Sequence, residues 1–127
     1  MAYHFSKKLD MSFDEAVART TEALKDEGFG VLTQIDVKET LKNKLGVEFR
    51  PYRILGACNP AFAHKALLAE DKIGTMLPCN VIVQQTPSGV EVSAVDPVAS
   101  MAAIHNPELA DIATTVQTKL KNVIDSL

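Results

Sequence analysis

The sequence predicts an α+β domain in which helices pack on one mainly antiparallel sheet. Three observations predict it. Two long stretches carry apolar residues at helical spacing, several short ones alternate at the period of 2, and a hairpin signal joins two of the alternating runs. The helical stretches are Ser12 to Gly28, with Phe13, Val17, Thr20 and Leu24 on one stripe, and Asn106 to Leu127, with Leu109, Ile112, Val116, Leu120, Val123 and Leu127. The hairpin is Asn80 to Thr86 and Val90 to Val95 about Pro87, Ser88 and Gly89. If Val17, Leu24, Ile112, Val116 and Leu120 are buried together, both helices lie on the sheet face that carries Val81, Val83, Val90, Val92 and Ala94.

In chain order, Ala2 to Leu9 reads as a first strand with Tyr3, Phe5 and Leu9 on one face. Ser12 and Glu15 form the capping box that starts the first helix, and Gly28 ends it. Phe29 to Val37 reads as a second strand with Val31, Thr33 and Ile35 on one side. Asp36 and Glu39 repeat the capping pattern for a short helix, Val37 to Leu45, which Gly46 stops. Val47 to Pro60, VEFRPYRILGACNP, is a strand running into a helix start: Tyr52, Ile54, Gly56 and Cys58 share one face, and Arg53, Leu55 and Ala57 the other. Asn59 offers an N-cap side chain and Pro60 suits the first helical position of a helix to about Glu70, expected to pack on the sheet. Ile73 to Pro78 is a connection. Asp96 to His105 is apolar but irregular and needs cover. Asn106 and Pro107 start the last helix, whose Lys119 and Lys121 suit the dipole near its end.

With 127 residues the chain fits a single domain, 1–127, able to bury about two-thirds of the surface its unfolded form exposes. Hydrophobic residues are 46% and charged ones 23%, which excludes a disordered chain. A net charge of −3 and a pI near 5.5 weigh against a nucleic-acid surface, which needs a concentrated basic face, and none is visible in the sequence. The start, MAYHFSKKLDM, has no signal-peptide core, and no run of apolar residues is long enough to span a bilayer, so no membrane partner and a cytoplasmic location are expected. The two cysteines of such a chain are expected as free thiols, ligands or redox groups.

Those cysteines define the candidate site. Cys58 precedes a helix N-terminus, whose N–H groups favour a thiolate, and Cys79 opens the strand in LPCNVIV; each is followed by asparagine, Asn59 and Asn80. The plain alternative is two small buried hydrophobes, since free cysteine is among the most buried residue types. His64, about one turn into the helix, makes Cys58, Cys79 and His64 a candidate metal set, against the alternative of an exposed helix histidine. Arg50 and Arg53 are candidates for binding a carboxylate or phosphate, or for favouring a nearby thiolate; the alternative is surface ion pairing. Asp96 reads as a turn cap, and Met76 and Met101 as core or pocket lining. His4 and His105 have no visible partner.

The phrases GFGVLTQIDVKETLKNKLGVEFRPYRILGACNP, IGTMLPCNVIV and VSAVDPVASM resemble the family known as domain of unknown function 302. The resemblance covers nearly the whole chain. It implies a β-α-β-β-β-β-α order similar in outline to the TATA-binding-protein fold, pairing as homodimers, and no established activity. DNA binding does not come with the fold. In the implied antiparallel sheet Cys58 and Cys79 meet at one end, whereas a parallel crossover would put them on opposite edges.

Two functions follow. The first is a binding module for a small molecule or a metal near Cys58, Cys79 and Arg53, with Asn59, Asn80 and Arg50 beside them. The second is a thiol-dependent redox enzyme or sensor using Cys58, with Cys79 resolving. A scaffold dimer with inert thiols is the bland third. Binding is preferred because no Ser/His/Asp or paired-carboxylate arrangement is present. No particular cofactor is indicated. A working thiol pair is expected to have Cα atoms within about 10 Å, with Cys58 the more reactive.

Overall fold

Local chemistry sets the element ends. Ser12 accepts a hydrogen bond from the Glu15 N–H (3.1 Å) and starts α1, Phe13–Asp26. Gly28, at φ 87°, then lets the Phe29 N–H reach the Leu24 carbonyl at 2.9 Å. Asp36 accepts from the Glu39 N–H to cap α2, Val37–Leu45. Asn106 accepts from the Glu108 N–H to cap the longest helix, which ends at Asp125. The computed structural model describes residues 2–127; Met1, which opens the 1–127 span, lies outside the described residues.

The strands are β1 (His4–Leu9), β2 (Gly30–Asp36), β3 (Tyr52–Cys58), β4 (Cys79–Thr86) and β5 (Gly89–Val95). They form one sheet in the order β1-β5-β4-β3-β2, and every neighbouring pair is antiparallel. The remaining helices are α3 (Pro60–Ala69), α4 (Pro97–Ser100) and α5 (Pro107–Asp125), with a 3-10 turn at Asp71–Met76. Helices α1 and α5 pack together on one sheet face. Leu24, Val116, Leu120 and Val123 meet Leu55, Val81, Val83, Val90, Val92 and Ala94 there in one buried cluster. This is the α+β fold read from the periodicities, with α2 and α3 inserted between strands.

Two local expectations are corrected. Between β2 and β3 the register runs Val31↔Ala57 and then Thr33↔Gly56, so Leu32 is an extra residue. Such a bulge reverses the alternation: Val31 packs on the core, whereas Thr33 and Ile35 lie on the face of Gly56 and Ile54. Helix α3 packs chiefly on α5 and the 3-10 turn, and reaches the main cluster on the sheet through Phe62. In the apolar stretch Val98 to Ile104, Met101 and Ile104 pack on a second cluster of Ala66, Ile73 and Leu109, while Val98 stays 39% exposed. Asp96 caps α4 as expected, accepting from the N–H groups of Val98 and Ala99. Among the described residues no helix is long and apolar enough to cross a membrane.

Candidate functional site

Because α3 leaves the end of β3 and leans on α5, a gap opens between helix and sheet. It is a cavity of about 330 Å³. Phe62, Ala63, Ala66 and Leu67 line it from α3, and Ile112, Ala113 and Val116 from α5. Phe29 and the bulged Leu32 close the side toward β2, and Leu77, Pro78, Pro97 and Met101 close the other. Cys58, Asn59, Thr33 and Cys79 contribute the few polar atoms of its wall. The lining described here contains no Asp, Glu, Lys, Arg or His. One clue to the cavity was present in the sequence: α3 is apolar nearly all round, more than one packed face requires.

The two thiols belong to this wall. Cys79 lies opposite Ala57 across the β3–β4 ladder, so antiparallel spacing puts the Cα atoms of Cys58 and Cys79 about 6 Å apart. They are nonetheless both free. Both line the same cavity wall, and no disulfide joins them. Cys79 is buried, and burial, with a smaller contribution from nearby Cys58, pushes its thiol from the ordinary 9.0 up to about 11. At neutral pH it is therefore protonated, a poor nucleophile and a poor metal ligand.

That raised thiol predicts a stability loss in alkali. Below pH 9 folded and unfolded chains both keep the proton; between 9 and about 11 only the folded chain keeps it. Unfolding then releases a proton and is favoured as pH rises. A shift of this size corresponds to about 2 to 3 kcal/mol lost across that window. Urea titrations at pH 8.5 and pH 11 should show this component in the parent chain and not in Cys79→Ala; equal losses in both would exclude it.

Over residues 5–127 the chain matches the family described as Domain of unknown function DUF302. The chain belongs to that family. A crystal structure of an uncharacterized conserved DUF302 protein from Bacillus stearothermophilus is 32% identical, with a TM-score of 0.92 and 98% of each chain covered. No curated protein matches the sequence.

In this DUF302 chain the remaining sequence candidates are dispersed. Asn59 lines the cavity, but its side chain does not cap α3: its amide donates to the Glu27 carbonyl at 3.3 Å, tying α3 to the end of α1. Asn80, one residue past Cys79, is exposed on the opposite, uncovered sheet face, in a shallow groove with Tyr3, Tyr52, Ile82 and Gln84. Arg50 donates two hydrogen bonds to Gln84 (3.0 and 2.9 Å) and stacks on the rings of Phe49 and Tyr52.

Arg53 pairs with Asp36 at 3.5 Å and lies over Phe13, while its Nε is buried without a partner. Five strand positions separate it from Cys58, about 17 Å at strand rise. A site combining the thiols with Arg53 is therefore not formed. His64 is exposed and does not line the cavity. Among the described residues no group of three or more His, Cys, Asp and Glu is placed to hold a metal, so Cys58, Cys79 and His64 are not assembled into a site. Met101 lines the cavity as expected, whereas Met76 is exposed and stands apart.

Proposed function

We propose that the chain acts as a single-domain binding module whose small-molecule ligand occupies the cavity under α3, with Cys58 and Cys79 in its wall. The cavity itself carries this reading. A well-packed interior leaves few voids larger than a water molecule, and ligand pockets begin at about 300 Å³. Such a volume is held open here at the end of the sheet, where α3 could otherwise have collapsed onto it. A redox cycle through Cys58 and Cys79 has less support, because Cys79 is held protonated. Free thiols suit a reducing, cytoplasmic setting.

Native mass spectrometry of the full-length protein as purified is expected to show a non-covalent adduct. Leu67→Trp, which narrows the cavity from the partly exposed side of α3, should remove it. A spectrum with the bare 13.8 kDa mass alone, together with no binding of any apolar compound, would overturn the reading.

We also propose a homodimer. Its support is the uncovered sheet face, where Ile54 and Ile82 are only half-buried and Ile35 is 47% exposed. Sedimentation at micromolar concentration should give twice the chain mass, and a monomer throughout would rule it out.

A further inference from the structure

Two lysines stand beside one residue of the cavity wall, Phe62. Phe62, part of the cavity wall, carries the Lys65 ammonium 5.6 Å from its ring centroid and the Lys119 ammonium 5.9 Å from it. Lys65 comes from α3 and Lys119 from α5, so two different elements bring positive charge to the same aromatic ring. Neither lysine is in an ion pair with a carboxylate among the described residues. Both ammonium groups lie near the same ring, so an anion held at that ring would meet two positive charges.

The interior imposes the complementary constraint. No charged side chain lines the cavity, and an unpaired charge in such surroundings is strongly disfavoured. Whatever enters must therefore be apolar along the part it buries. Leu32 (68% exposed) and Leu67 (44% exposed) line the cavity and also reach solvent, which leaves an apolar approach to it. The volume is also informative. A dry apolar cavity of roughly 150 Å³ takes one benzene ring, so twice that volume takes about ten carbons.

We infer that the ligand is an amphipathic monoanion, a single-chain carboxylate of medium length, with its hydrocarbon in the cavity and its carboxylate at Lys65 and Lys119. This rests on the cavity being a binding site and adds the chemical class and the head-group contacts. The two lysines act here as charge partners, so the preference is for an anion over a neutral chain of the same length, and it weakens as salt screens them.

Calorimetric titration of the full chain with decanoate, 1-decanol and decylammonium tests this. Decanoate should bind at least ten times more tightly than 1-decanol, and decylammonium most weakly. The double variant Lys65→Gln/Lys119→Gln should weaken decanoate at least tenfold and so close most of its advantage over 1-decanol. Ala63→Phe, which fills the cavity, should abolish binding of both, and Leu67→Trp supplies the same test at a partly exposed position if Ala63→Phe does not fold. If 1-decanol binds as well as decanoate, or the lysine variant leaves decanoate affinity intact, this inference fails while the binding cavity stands. If none of the three compounds binds and the native protein carries no adduct, both fail.

Discussion

Leu120→Asp is expected to leave little or no folded protein in water at 25 °C. Leu120 is fully buried on α5, within the cluster where both long helices meet the sheet. The substitution removes a large apolar side chain, costing about 2 to 5 kcal/mol. It also buries an uncompensated carboxylate or forces it to stay protonated, a further cost on the order of 3 to 5 kcal/mol. Together these approach the whole stability of a typical domain, about 5 to 15 kcal/mol. Far-ultraviolet circular dichroism with urea titration reads the outcome directly. Leu120→Met, which keeps volume and polarity, should cost less than about 1.5 kcal/mol. A cooperative urea transition for Leu120→Asp close to that of the parent would show that α5 does not bury this position.

Gly56→Ala is expected to be the most damaging single-methyl change in the sheet. Gly56 is buried in β3. A Cβ there would meet the Thr33 hydroxyl oxygen at 2.2 Å and the Pro78 ring at 2.8 Å. The Thr33 hydroxyl can rotate away, but the proline ring cannot, so the strand ends at the cavity must shift. Overpacking of this kind costs about 1 to 3 kcal/mol, outweighing the few tenths to 1 kcal/mol that a glycine-to-alanine change ordinarily gains from the unfolded chain. Thr33→Ala should restore part of the loss, with a coupling of about 1 kcal/mol in the double-mutant cycle on chemical denaturation. Gly56→Ala as stable as the parent, with no coupling to Thr33, would refute this account.

The contact between Gly56 and Thr33 follows from the bulge at Leu32. The bulge turns Thr33 onto the Gly56 face and sends Leu32 toward the cavity. A residue in β2 thus has its side chain reassigned by pairing with β3. Nothing in the alternation of GVLTQID marks the slip, because an inserted residue looks the same in sequence as a paired one.

Elements whose information is local were legible in the chain. Capping by Ser12, Asp36 and Asn106, the stops at Gly28 and Gly46, the stripe along α5 and the β4–β5 hairpin all depend on residues a few positions apart. Backbone hydrogen-bonding demand and side-chain periodicity act over that range, so the sequence by itself determined the fold class, the core valines and the common end of the sheet where Cys58 and Cys79 meet once β3 and β4 are antiparallel. The site was decided by tertiary structure. The stand-off of α3 from the sheet, the turn of Asn59 toward Glu27, the exposure of His64 and the pairing of Arg53 with Asp36 each depend on which distant elements pack together. A cavity is the space those elements fail to fill, and an unfilled space is a property of their relative placement, which no local run of residues encodes.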